Sequence, residues 1–237
     1  MQVLAISSSP LKDRGNTDII LKEFITGLGE RGVEVEVIYL SEMMIKPCLG
    51  KLVCWLKTPG VCCQKDDMAQ LLEKMKTSDV WIFASPLYWD GVSGLMKNFF
   101  DRLLPLLEPY IELRDGHCRH PVRDDLEGGK IVLISSCGFW EMDNFEPMLS
   151  QVMAICRNIN RDFAGALLRP HGALFKYMIR NYESVKDILN AARKAGHELI
   201  MDGRISQNSM IMVSYELMSR EEYIDLINEN MKQTMDL

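Results

Sequence analysis

Residues 7–17 (SSSPLKDRGNT) carry the groups that an anion needs. Ser7, Ser9, Asn16 and Thr17 offer hydroxyl and amide groups, and Gly15 lets backbone N–H groups come close. Lys12 and Arg14 can neutralise the remaining charge. A helix that starts here points its positive end at the same spot, the arrangement a phosphate group requires. No G-K-[ST] closes the loop and no G-x-G-x-x-G is present, so it is neither the nucleoside-triphosphate loop nor the dinucleotide fingerprint. The alternative is a turn with a Ser/Asn/Thr helix cap. A second segment, residues 85–94 (SPLYWDGVSG), places Tyr88 and Trp89 between Pro86 and Gly91. Two rings on a loop can wall a flat aromatic ligand while backbone near Asp90 and Gly91 bonds its polar edge, or one ring can be ordinary core. In the third, residues 135–141 (SSCGFWE), Ser136, Cys137 and Gly138 again precede two aromatics.

These loops need elements to hold them, and the chain supplies a rhythm of strand and helix. Residues 2–7 (QVLAIS), 79–85 (DVWIFAS) and 130–136 (KIVLISS) are apolar runs of the kind buried on both faces of a parallel sheet. Residues 33–39 (VEVEVIY) alternate and suit a strand nearer the sheet edge, and a last strand is expected at 164–168. Helices are expected at 17–31, from Asp66 or Asp67 to 76, at 93–104, 144–157, 183–201 and 219–235. Residues 105–129 read as an excursion from the sheet. Alternation of this kind implies right-handed βαβ units and a parallel sheet, whose ligands bind beyond the carboxyl ends of the strands. All three loops fall at such ends.

The 237 residues suit one α/β domain with extensions. A net charge of −6 argues against nucleic acid or anionic membrane as a partner. No stretch reaches the roughly 20 apolar residues of a membrane span. Seven cysteines, an odd number, and no signal peptide suggest a reduced, cytoplasmic protein. His117, Cys118 and His120 lack a partner pair at metal-like spacing and read as a surface loop. His171, in RPHG, lies either near the site or in ordinary loop. No catalytic side chain and no metal ligand is expected.

The stretches SSPLKDRGNT, PCLG, CCQKDDM and SPLYWDGVSGLMKNFFDR resemble the NADPH-dependent FMN reductase family, in particular its iron–sulfur flavoprotein branch. The resemblance covers roughly the first half of the chain. It implies an α/β, flavodoxin-like, doubly wound five-stranded parallel sheet of order 2-1-3-4-5 with helices on both faces. Residues 1–170 would form the FMN-binding domain, and 171–237 a C-terminal helical extension of it. Ser9, Asn16 and Thr17 would hold the FMN phosphate; Pro86, Leu87, Tyr88, Trp89 and Gly91 would flank the isoalloxazine, with the third loop beside it. The implied function is an oxidoreductase taking hydride from NAD(P)H and passing electrons to flavin, a quinone or another small acceptor, commonly as a homodimer or higher oligomer. The competing readings are a flavodoxin-type electron carrier and a flavin-binding sensor or assembly protein. Two features depart from the family. Leu11 stands where an arginine is common, and Lys51 stands where cluster-bearing relatives have the second of four thiolates. With Cys48, Cys54 and Cys62 in three places and only Cys63 to spare, no iron–sulfur cluster is expected.

Overall fold

In a computed structural model that describes residues 1–181, 183 and 185–235, the apolar runs become the strands of one parallel sheet. They are β1 (Val3–Ser7), β2 (Val35–Tyr39), β3 (Val80–Tyr88), β4 (Lys130–Ser136) and β5 (Asp162–Arg169). Their order across the sheet is β2-β1-β3-β4-β5, the flavodoxin-like 2-1-3-4-5 arrangement, with helices on both faces. A sixth strand of two residues, Gly91–Val92, pairs antiparallel with the end of β3. In β1 every residue is buried, and Val3 stands between Val35 and Val80. Alternation then sends Val3 and Ala5 into one apolar layer and Leu4 and Ile6 into the other.

Helices α1 (Asn16–Gly29), α2 (Met68–Lys76), α3 (Gly94–Asp101) and α4 (Glu146–Asn158) lie between the strands. After β5 come α5 (Phe175–Asn181), α6 (Val185–Asp202), α7 (Gln207–Val213) and α8 (Arg220–Met235). The apolar faces of α2, α3 and α4 join the Leu4 layer, and those of α1 and α6 join the Val3 layer. Helices α1 and α6 touch backbone to backbone. A Cβ on Gly27 would lie 1.9 Å from the Arg193 carbonyl oxygen, and one on Gly196 2.4 Å from that of Phe24. Glycine at both crossings is what lets Ala192 and Ala195 sink into the layer.

Helix α6 begins at 185 rather than 183; residues 182, 184, 236 and 237 lie outside the described residues. The short α5 and α7 were not anticipated. Much of the apolar surface of the 93–104 segment is used within the chain. Met96, Phe99, Phe100 and Leu103 are buried, both phenylalanine rings pack on Phe83, and Leu95 alone of that set is exposed. Lys97 pairs with Asp101 inside the helix, at 2.5 Å. The excursion at 105–129 holds a small hairpin, Glu112–Arg114 against His117–Arg119. No helix among the described residues is long and apolar enough to cross a membrane.

Candidate functional site

The loops after β1, β3 and β4 meet at one cavity of about 190 Å³, lined by Ser9, Gly15, Asn16, Thr17, Pro86, Leu87, Tyr88, Ser136, Cys137 and Gly138. Gly15 is the N-cap of α1 and provides no side-chain cap, so the first N–H groups of the helix are left for whatever enters. A Cβ at Gly15 would sit 2.3 Å from Ser9 Oγ, so the loop can close this tightly only around glycine. Asn16 Nδ2 donates to the Gly172 carbonyl at 2.6 Å, while its Oδ1 has no partner among the described residues. Thr17 Oγ1 and Ser136 Oγ lie 2.7 Å apart, joining the first loop to the third.

Three of the expected residues of the first loop stand outside the cavity. Ser7 is buried beneath it, donating to Asp18 Oδ1 at 3.0 Å and accepting from the Ser9 N–H at 3.3 Å. Lys12 is ion-paired with Glu42, and Arg14 is exposed without lining the cavity. The positive end of α1, rather than either of these two cations, faces the cavity.

Asp18 is the residue that the sequence reading missed here. Burial pushes its carboxyl up to about 6, against the opposing hydrogen bonds from Ser7 and Ser9 and the attraction of Lys22; Asp13 adds to the rise. A carboxyl raised on folding binds its proton more tightly in the native state, so its ionisation is a cost to stability. That cost is absent below pH 3.8, grows as pH rises toward 6 and is complete above it, at about 3 kcal/mol. Asp18→Asn keeps an acceptor for Ser7 and removes the charge. The variant is expected to be more stable than wild type in urea at pH 8, by up to about that amount, with no advantage at pH 4. Equal stability at pH 8 would show that the charge is not strained.

The second end of the site is a cavity of about 480 Å³ lined by Leu87, Trp89, Asp90, Cys137, Gly138, Phe139 and Asn144, sharing three residues with the first. Strand β3 runs on through Tyr88 and turns back at Trp89 and Asp90, both with positive φ (51° and 55°). The turn projects Trp89 fully into solvent and leaves Tyr88 half exposed, so neither ring is core. Gly91 lines neither cavity and sits in the short return strand. Gly172 and Ala173, from the loop after β5, also line the first cavity. The RPHG stretch was the signal for them, and His171 lies buried just behind. A larger apolar groove of about 870 Å³, between α4, β5 and α7, lies apart from these loops.

In the cysteine loop Lys51 stands where a second thiolate would be. Cys54 is buried, Cys48 and Cys63 are exposed, and Lys51 is exposed between them. Burial raises the Cys54 thiol, and nearby Cys62, Cys48 and Cys63 add to the rise. Cys62 Sγ already accepts from Arg102 Nη2 at 3.4 Å. Among the described residues no three His, Cys, Asp or Glu side chains converge as metal ligands, the 117–120 set included. His120 instead faces the Tyr110 carbonyl and packs on Trp55.

An iron–sulfur flavoprotein from Methanocaldococcus jannaschii is 40% identical over 106 residues, 45% of this chain and 53% of that protein. One from Archaeoglobus fulgidus is 36% identical over 138 residues, 58% and 56% of the two chains. The chain thus spans about half the length of the curated relatives it matches. Among solved structures, NAD(P)H:quinone oxidoreductase from Methanothermobacter marburgensis superposes with a TM-score of 0.59 at 22% identity, over 84% of this chain and 96% of that one, which establishes the shared fold. Residues 1–159 match the family model described as NADPH-dependent FMN reductase, and that stretch contains the loops after β1, β3 and β4; the chain belongs to the NADPH-dependent FMN reductase family.

Proposed function

We propose that the chain is an FMN-dependent oxidoreductase that accepts hydride from NAD(P)H and passes electrons to flavin, a quinone or another small acceptor. The observation that carries this is the joining of two cavities, one floored by an uncapped helix N-terminus and the other flanked by exposed aromatics. That pairing suits a ligand with a phosphate at one end and a flat ring at the other. Bound FMN supplies the hydride and electron chemistry. The chain's part is to hold it: Ser9, Thr17 and the first N–H groups of α1 at the phosphate, and Asn16 Oδ1 as an acceptor for a hydroxyl between the ends. Pro86, Leu87, Tyr88, Trp89, Ser136, Cys137 and Gly138 then border the ring. Ser7 supports the phosphate loop from below. On this reading residues 1–170 hold the cofactor and 171–237 extend the same domain, in a cytoplasmic homo-oligomer without nucleic acid or membrane as partner. The exposed Trp89, Tyr88 and Phe139 beside the ring cavity favour such a partner copy.

Purified protein is expected to contain or to accept one FMN, identified by chromatography after extraction, and to oxidise NADPH or NADH when a quinone is added. Light scattering on the same sample should return at least twice the chain mass of 27.1 kDa. FAD in place of FMN, or no flavin after reconstitution, overturns the cofactor assignment. Flavin without turnover moves the protein to the carrier class.

A further inference from the structure

The loop that borders the proposed ring cavity, Cys137 to Trp140, is held almost entirely by residues that follow it in sequence. The Cys137 N–H donates to the Arg169 carbonyl at 2.9 Å, and the Gly172 N–H donates to the Cys137 carbonyl at 2.7 Å. The His171 N–H donates to the Phe139 carbonyl at 2.6 Å. The Gly138–Phe139 peptide is fixed at both ends. Its N–H donates to Cys137 Sγ at 3.2 Å, and its carbonyl accepts from the hydroxyl of Tyr223, on α8, at 2.6 Å.

The C-terminal extension also fixes the segment that makes those bonds. Arg169 is fully buried and donates through Nη1 to the carbonyls of Val213 and Tyr215, at 3.0 and 2.7 Å. His171 adopts a left-handed backbone, φ 42°, and its ring stacks on Trp140 with centroids 4.3 Å apart. Burial and then the charge of Arg169 push its imidazole down to about 3, so the ring is neutral at physiological pH. Tyr223 closes the cluster, 5.8 Å from both rings. Two large polar side chains buried at this one point, with Arg169 Nε and Nη2 unpaired among the described residues, mark a place where packing has been kept at the expense of hydrogen bonds.

We infer that the C-terminal extension is a brace for the flavin-ring loop, with Tyr223 as its positioning residue and Arg169 as its anchor. The inference rests on the flavin reading above and adds to it a role for residues beyond the family match at 1–159. A ring bordered by backbone needs that backbone held before the ligand arrives, because any ordering on binding is subtracted from affinity. The Tyr223 hydroxyl does this without lining either cavity.

Tyr223→Phe removes only the hydroxyl. In the variant without ligand, amide hydrogen exchange is expected to rise at Phe139 and His171, which depend on this peptide. In the flavin-bound form the FMN dissociation constant is expected to rise about fivefold to tenfold, the worth of one hydrogen bond, with a changed visible circular dichroism of the flavin. Ser214→Ala is the control. It cuts a different tie of the extension, the 2.9 Å bond to the Leu168 carbonyl, and should leave flavin affinity and dichroism as in wild type. Unchanged exchange in Tyr223→Phe overturns the brace whatever the ligand. Unchanged affinity and dichroism, or an equal effect of Ser214→Ala, overturns the positioning role. Wild-type protein that binds no FMN overturns the flavin reading instead, and the exchange result still decides the brace.

Discussion

Replacing Asn16 and Thr17 together with alanine is expected to weaken FMN binding about a hundredfold and to leave the fold in place. Each side chain is assigned one hydrogen bond to the cofactor, and two such bonds, one to a charged group, are worth on the order of 3 kcal/mol together. The geometry adds a second cause. Asn16 clasps the Gly172 carbonyl and Thr17 meets Ser136, so the pair also ties the loop after β1 to the loops after β4 and β5. Alanine at both positions loosens three walls of one cavity. The fold should survive because neither residue belongs to the two apolar layers on which the sheet depends. Titration by flavin fluorescence quenching measures the constant, and far-ultraviolet circular dichroism checks the fold. A dissociation constant equal to wild type would remove the phosphate from this loop. Asn16→Ala alone tests the clasp, since Gly172 then loses its partner while Thr17 keeps Ser136.

The sheet was legible because its strands are written as unbroken apolar runs. Residues 130–136 match β4 end to end, and β1 differs by a single residue. What could not be read is where a strand stops when the reason is backbone geometry. Strand β3 continues three residues past the expected 85 because Trp89 and Asp90 form the two-residue turn of a hairpin, both at positive φ. Such turns are normally signalled by Asn-Gly or Asp-Gly, and neither occurs at these two positions. A tryptophan held there is strained by roughly 1–2 kcal/mol, and strain of that kind gathers at functional sites.

The candidate site was legible in the residues that follow strands and less so in those supplied from elsewhere. Nine of the expected residues line the first cavity and Trp89 lines the second. Lys12 and Arg14 do not, since composition names a cation without saying which way the chain turns it; here Lys12 turns to Glu42. Asp18 went unnoticed because an acidic residue in the first turn of a helix is ordinary. Only its burial beneath Ser7 and Ser9 makes it unusual. Gly172 and Tyr223 reach the loops from more than thirty residues away in sequence, a separation that no local pattern encodes.

The cysteine loop carries the last expectation: its order comes from a buried ion pair, and Asp66→Ala should cost about 3–5 kcal/mol of stability. Asp66 and Arg102 meet in a two-pronged pair, at 2.7 and 2.9 Å, with both side chains sealed from solvent. Burial alone would raise the Asp66 carboxyl. Hydrogen bonds from Arg102 and from the Lys46 and Met68 N–H groups outweigh it and hold the group below the usual carboxylate range. Arg102 also donates to the Lys46 carbonyl at 2.6 Å and to Cys62 Sγ, so one guanidinium gathers both ends of the loop onto the end of α3. Alanine at 66 leaves that cation buried without its counter-charge, the expensive half of a broken pair. A carboxyl lowered on folding stabilises above its unfolded value near 3.8, and the contribution fades as acid protonates it. Asp66→Ala should therefore differ from wild type most at neutral pH and least near pH 3. The double variant Asp66→Leu with Arg102→Met should recover much of the loss, since no charge is then stranded. If a metal held the loop instead, a chelator would lower wild-type stability, and anaerobic analysis would find roughly four irons with acid-labile sulfide per chain. Lys51 at the second thiolate position predicts neither, and a loss below about 1 kcal/mol in Asp66→Ala would show that something other than this pair holds the loop.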